Sequence, residues 1–384
     1  MKIVTRHFGS SRLSYFIKST SWWRKRLLRK RVLVEYEEAI EILSQAPELI
    51  SEKIRNSKIK PTVGIVKDGP FFDNFVHPKA SWLRYERYLK NNKIAYKFID
   101  ILKSNWIEAC KTVDIIVWHT YSSPSTQYLA ESKIYILERI LNKTCFPSFH
   151  EVWQYEDKIR ANWLYEIYKI PSIPTSITNS KEEAIKIISN AEFPIISKLN
   201  TGSGSMGVEK IDNPKQALRI VNKIFSTGRN TYWKYIKQKD YFYCQEFIKD
   251  AGYDLRIMIV GNKAFGYFRY PNKGDFKASG SGKLTKKEIP EVALKIAIDV
   301  KNKLDSRLMA IDMLYSTKLK QYFIIETSLF NQIDTAEQLV VNGVPGYYDI
   351  TDMNNIEFKE GRFWIQELLL ESILNSWLLS NNTN

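Results

Sequence analysis

Two strand-borne carboxylates offer the first chemistry. In LMAIDMLYS-TKLK-QYFIIETS (308–328), Asp312 and Glu326 stand nearly equidistant from a turn near residue 319. An antiparallel hairpin there sets them about opposite one another, and Ser328 shares the face of Glu326 because side chains alternate along a strand. Both carboxylates interrupt apolar runs (MAI-D-ML, FII-E-TS), where unpaired charge is costly. Brought together they repel unless a cation bridges them, and Mg²⁺ takes such oxygen ligands together with phosphates. The bland alternative is a pair of solvated strand carboxylates.

A second stretch, SKLNTGSGSMGVEK (197–210), spells G-x-G-x-x-G at Gly202, Gly204 and Gly207. A dinucleotide-binding turn needs a helix after its glycines. Here the strand-like VEKI follows, and the next helix starts only at Asn213-Pro214. A kinase glycine loop has the right strand order, but the other kinase elements are missing. What remains is a glycine hairpin whose backbone N–H groups could close over phosphates. Lys198, at the end of the preceding strand, would point its ammonium at the same anion. A hairpin that merely turns is the alternative.

Stepping outward, YFYCQEFIK (241–249) is a strand ending in Gln245-Glu246-Phe247-Ile248. DLRIMIV and AFGYFRY form a hairpin turned by Gly261-Asn262. The flexible PNKGDFKASGSGK follows, then a helix, EIPEVALKIAIDVKNKL. Upstream, residues 61–150 alternate short β-branched runs (TVGIV, AYKFIDI, VDIIVWHT) with helical ones, which predicts a parallel α/β sheet. Ligands of such sheets sit beyond the strand C-termini, here 67–73 and 119–123. EVWQYEDKIRANWLYEIYK (151–169) reads as one helix, and SKEEAIKIISNA as another with a Ser180–Glu183 capping box. Residues 35–60 read as helical, and 331–384 as an extension ending in an amphipathic helix that packs on the body or a second subunit.

The 384 residues allow two or three domains, and 44% hydrophobic with 26% charged residues is ordinary for a globular protein. Three separated cysteines suit a reducing cytoplasm, and four histidines show no metal-ligand spacing. Of the net charge of +15, residues 1–34 supply ten basic side chains and no acidic one. That arm interleaves Trp22-Trp23 and Leu27-Leu28 with basic runs, the pattern of an amphipathic helix on an anionic membrane surface. A solvated helix packed on its own protein is the equal alternative. Nucleic acid is disfavoured because no recognised module accompanies the charge. The arm lacks the apolar core and cleavage site of a signal peptide, and no apolar run approaches a membrane span.

Taken in order, Lys198, the glycine hairpin, Gln245-Glu246-Phe247-Ile248, Asp254-x-Arg256, Arg269, Lys277, Asp312 and Glu326 resemble the ATP-grasp superfamily in its RimK-like branch. The resemblance covers roughly 150–330 and implies an α/β (α+β) fold of two subdomains enclosing ATP. Its hinge falls near 245–249, and 61–150 is similar to the family's preceding domain. It implies that Lys158 and Lys198 hold phosphates under a loop containing Ser203, Gly204 and Ser205. Glu246 and Ile248 match the strand whose backbone reads adenine, flanked by Gln245 and Phe247. Asp254 matches a ribose-binding or site-shaping acid. Arg256 and Arg269 match cations facing the γ-phosphate, an acyl-phosphate or a substrate carboxylate, and Lys277 the basic place in a mobile loop. Asp312, Glu326 and Ser328 match the ligands of one or two Mg²⁺ ions, with Mn²⁺ as an alternative.

Two departures stand out. The family usually reads Glu-x-Asn where this chain has Glu326-Thr327-Ser328, and KASGSG (277–282) replaces a basic residue followed by Asn. The resemblance implies an ADP-forming carboxylate–amine ligase working through an acyl-phosphate on small-molecule, peptide or glycan substrates, including surface polysaccharide. A kinase on the same fold and a non-catalytic, membrane-associated nucleotide-binding protein stay open, as does a homo-oligomer. The expected location is cytoplasmic, peripheral at the inner face of the membrane.

Overall fold

A computed structural model describes residues 33–68, 71–72, 75–202, 207–233, 235–329 and 335–381. The basic arm therefore lies, but for its last two residues, outside the described residues. Four short strands, β1 (Val63–Val66), β2 (Tyr96–Ile99), β3 (Ile115–Trp118) and β4 (Thr144–Phe146), form an all-parallel sheet in the order β2-β1-β3-β4. The central strands β1 and β3 are buried on both faces, as a helix-covered parallel sheet requires, while the edge strand β2 is partly exposed. Within 35–60, the helices Tyr36–Leu43 (α1) and Glu52–Arg55 account for the helical pattern. Helix α2 (Ser81–Asn91) caps its N-terminus on a distant side chain: Asp68 accepts from the amides of Ser81 and Trp82 at 3.0 and 3.1 Å.

After α3 (Pro124–Tyr135) the chain departs from expectation. The single helix read over 151–169 is two, α4 (Phe149–Gln154) and α5 (Lys158–Ile167). Glu156 between them takes the left-handed conformation (φ 55°), and Asp157 caps α5 by accepting from the Arg160 amide at 2.9 Å. A turn residue that would strain a helix is thus fixed next to a cap.

Four antiparallel strands follow in the order β7-β6-β8-β5: β5 (Thr175–Thr178), β6 (Ile195–Lys198), β7 (Val208–Ile211) and β8 (Phe242–Glu246). Helices α6 (Lys181–Asn190) and α7 (Pro214–Ile224) cover one face, closing a core around Ile188, Ile195, Val221 and Phe242. The second, larger sheet runs β12-β11-β9-β10-β14-β13, from β9 (Asp254–Val260), β10 (Lys263–Arg269), β11 (Leu308–Ser316), β12 (Gln321–Ser328), β13 (Leu339–Val341) and β14 (Val344–Asp349). Helix α8 (Glu291–Lys303) buries Ala293, Leu294 and Ala297 in its core.

Residues 331–384 are not simply a helical extension. Strands β13 and β14 belong to the large sheet, and β15 (Glu357–Glu360) pairs with β14. The terminal helix α9 (Ile365–Asn381) does pack on the body. Just before it, Trp364 donates to the Leu43 carbonyl at 2.8 Å, and Glu367 takes Arg87 of α2 at 2.6 Å. No helix among the described residues is long and apolar enough to cross a membrane.

Candidate active site

The chemistry is laid out on one face of the large sheet. Register sets Glu326 of β12 opposite Asp312 of β11, and Asp312 opposite Arg256 of β9. Two residues along, Asp254 of β9 lies opposite Arg269 of β10. Cross-strand neighbours share a face, so five charged side chains converge. A Cβ at Gly266 would collide with the Arg256 carbonyl oxygen, so the close β9–β10 pairing that holds Arg256 needs glycine there.

The arginines occupy Asp312. Arg256 grips it in bidentate fashion, Nε to Oδ1 at 2.6 Å and Nη2 to Oδ2 at 2.7 Å, and Arg269 Nη2 adds a contact at 2.8 Å. Arg269 Nε also pairs with Asp254. Burial alone would raise the Asp312 pKa, but the two arginines outweigh it and hold the carboxyl far below its usual range. Asp254 is pushed up to about 6 by burial and by Asp312, against the pull of Arg269. Of the two roles implied for Asp254, this pairing fits shaping the site.

Two lysines approach from other elements. Lys158 opens α5, and its ammonium donates to the Gly202 carbonyl at 2.7 Å and meets Glu326 at 3.1 Å. Burial disfavours its charge, yet Glu326 and Glu156 raise its pKa. Lys198, buried at the end of β6, is lowered to about 8 by burial, with Lys158 adding to the effect and Glu326 opposing it. Asn200 ties the α4–α5 break to the glycine hairpin: its carbonyl accepts from the Lys158 amide at 3.1 Å, and its side chain donates to Asp157 at 3.0 Å.

Gln245, Glu246, Phe247 and Ile248 also line the wall. The Glu246 amide donates to the Pro174 carbonyl at 3.0 Å, and its side chain is exposed. Gln245 donates to Thr175 at 2.8 Å. Phe247 meets Phe276 edge to face at 5.8 Å, with Lys277 beside the Phe276 ring at 5.6 Å.

These groups border one cavity of about 520 Å³, whose wall includes Lys158, Lys198, Gln245–Ile248, Asp254, Arg256, Arg269, Lys277, Asp312, Glu326 and Ser328. Ser203, Gly204 and Ser205 fall outside the described residues. Wall residues missed from sequence include Phe276, whose only signal was an aromatic within the glycine-rich 271–283 loop, and Glu156, hidden inside an apparent helix.

Residues 155–341 match the model of the RimK-like ATP-grasp domain. This stretch is a RimK-like ATP-grasp domain. The α-aminoadipate–LysW ligase LysX of Saccharolobus solfataricus is 25% identical over 215 residues, 55% of this chain and 69% of that protein. A probable α-L-glutamate ligase of Legionella pneumophila is 26% identical over 167 residues, 42% of this chain and about half (51%) of its own length. Among solved structures, D-alanyl-alanine synthetase A of Vibrio cholerae superposes with a TM-score of 0.53 at 13% identity, over 84% of this chain and all (100%) of that one. An ADP-complexed N5-carboxyaminoimidazole synthetase of Staphylococcus aureus gives 0.50 at 9% identity, over 74% of each chain. Those two likenesses show the fold.

The side chains of this ATP-grasp domain fit ATP with a divalent cation. Two buried lysines point at one place, an aromatic pair and main chain stand at the far wall, and Asp312 and Glu326 offer oxygen donors. Among the described residues no three His, Cys, Asp or Glu side chains gather to hold a metal by themselves. Mg²⁺ is commonly held by one or two carboxylates plus substrate phosphates.

Proposed function

We propose that the protein is an ADP-forming carboxylate–amine ligase. The observation that carries this reading is the convergence of Lys158, Lys198, Arg256 and Arg269 with Asp312 and Glu326 on one cavity, with no Ser-His or Cys-His nucleophile among its wall residues. Phosphoryl transfer asks mainly for positioning and charge neutralisation, which such a set supplies without a covalent protein intermediate.

In this account a substrate carboxylate takes the terminal phosphoryl group of ATP, giving ADP and an acyl-phosphate. The neutral form of an amine then adds to the acyl carbon, phosphate leaves with the C–O bonding electrons, and the nitrogen gives up one proton to leave the amide. Lys158 and Lys198 hold the phosphates. Bound Mg²⁺ would neutralise phosphate charge at Asp312 and Glu326, with Ser328 as a neutral oxygen donor. Arg256 and Arg269 shift from Asp312 toward the anionic substrate, and their guanidinium groups stabilise the oxyanion formed as the amine adds. Lys277 and Phe276 close the nucleotide from the loop side.

The names of both curated relatives support an amino acid as one reactant, and we take it as the first class to test ahead of a surface glycan. Docking of residues 1–34 on an anionic membrane remains part of the proposal, and deletion of that arm should abolish sedimentation with anionic vesicles. The reading is tested by incubating the protein with ATP, Mg²⁺ and paired amino acids. ADP release that requires both a carboxylate and an amine supports it. A stable phosphorylated alcohol would replace it with a kinase.

A further inference from the structure

Glu156 has no part in the nucleotide site described above, yet it lines the same cavity and is only 9% exposed. Its Oε2 is buried and accepts a hydrogen bond from none of the described residues. A buried carboxylate oxygen without a donor is costly, and its backbone adds the strain of a left-handed residue. The surrounding structure enforces the position. Asp157 is held by α5 and by Asn200, and Lys158 is tied to Gly202 and Glu326.

Glu156 lies close enough to feel the charges of Lys158, Glu326 and Arg256, the groups assigned above to phosphoryl transfer. The two cations are already engaged, Lys158 with Glu326 and Arg256 with Asp312. A phosphate would be repelled by a carboxylate here. The missing partner is a hydrogen-bond donor carrying positive charge, small enough to reach the acyl carbon's side of the cavity.

We propose that Glu156 anchors the acceptor amine as its ammonium ion, takes the proton that this nitrogen must lose before its lone pair can add to the acyl carbon, and so selects a charged primary amine over a neutral nucleophile. This rests on the ligase reading. Burial and the Glu326 charge push its pKa up to about 7 against the pull of Lys158, and an incoming ammonium restores the ionised carboxylate. The ion pair would form at a buried carboxylate oxygen, and charge-assisted hydrogen bonds are the strong ones.

The test compares wild type with Glu156→Gln at one fixed carboxylate donor, chosen from the twenty amino acids by ATP- and Mg²⁺-dependent ADP release. Two nucleophiles are used: a second amino acid, which arrives as an ammonium, and hydroxylamine, which is uncharged at neutral pH. ADP affinity serves as the check on folding. The expected result is a KM for the amino-acid amine raised at least tenfold in Glu156→Gln. The ratio of amino-acid to hydroxylamine kcat/KM falls by the same factor. An unchanged ratio overturns the assignment, whether both efficiencies hold or both fall together. If wild type releases no ADP with any pair or with hydroxylamine, the ligase reading itself fails, and the assignment with it.

Discussion

Glu326 faces Asp312 across a hairpin whose pairing slips by one residue just before them. Pairing runs in step from Ser316–Gln321 to Met313–Ile324, then slips, so that Asp312 meets Glu326 and Ile325 is left as the bulge. Without the slip Glu326 would lie opposite Ile311 and point to the other face of the sheet. Inserting one residue between Ile325 and Glu326 should therefore set Glu326 opposite Ile311 and move it away from Lys158. ADP affinity measured in the presence of Mg²⁺ should drop at least tenfold, whereas an exchange of Ile325 for Val keeps the count and should leave it within about twofold.

Lys158 bridges the glycine hairpin and Glu326. Lys158→Met removes a charge-assisted contact of about 1.5–3 kcal/mol, so ADP should bind roughly ten- to a hundredfold more weakly. Calorimetric titration reads this directly, and an unchanged affinity would remove Lys158 from the phosphate site.

Nucleotide binding should depend on pH through Lys198. Its pKa lies near 8 in the ligand-free protein, so the ammonium is present below that pH and lost above it. A phosphate raises the pKa again, and binding above pH 8 must take up a proton. ADP affinity is expected to fall as pH rises through about 8, with proton uptake visible in buffers of different ionisation enthalpy. Lys198→Met should abolish both effects.

Arg269 satisfies Asp254 and Asp312 together. Replacing it with Met leaves two buried carboxylates short of one counter-charge, and removing one member of a buried pair typically costs about 3–5 kcal/mol. Urea denaturation should show that loss for Arg269→Met. Adding Asp254→Asn should recover part of it, because the neutral amide no longer needs the arginine.

The hairpin arithmetic around residue 319 brought Asp312 and Glu326 near each other, since turn position and strand alternation are local properties. The grip of Arg256 and Arg269 on Asp312 was not legible, because it depends on β9 lying between β10 and β11, a non-local order. Glu156 was hidden for a different reason. Residues 151–169 keep helical spacing across the break, and only Asp157, a good N-cap residue three before Arg160, marked a new start. Strands β13 to β15 were missed because they are short and fill the sheet edge, where tertiary pairing decides.

The account stands on acyl-phosphate chemistry, and isotope transfer tests it most directly. With the donor carboxylate labelled with ¹⁸O, ATP, Mg²⁺ and an amine acceptor, one labelled oxygen should pass to the released phosphate as ADP and the amide form. Turnover that leaves the phosphate unlabelled, or that places the phosphoryl group on a hydroxyl, would contradict it.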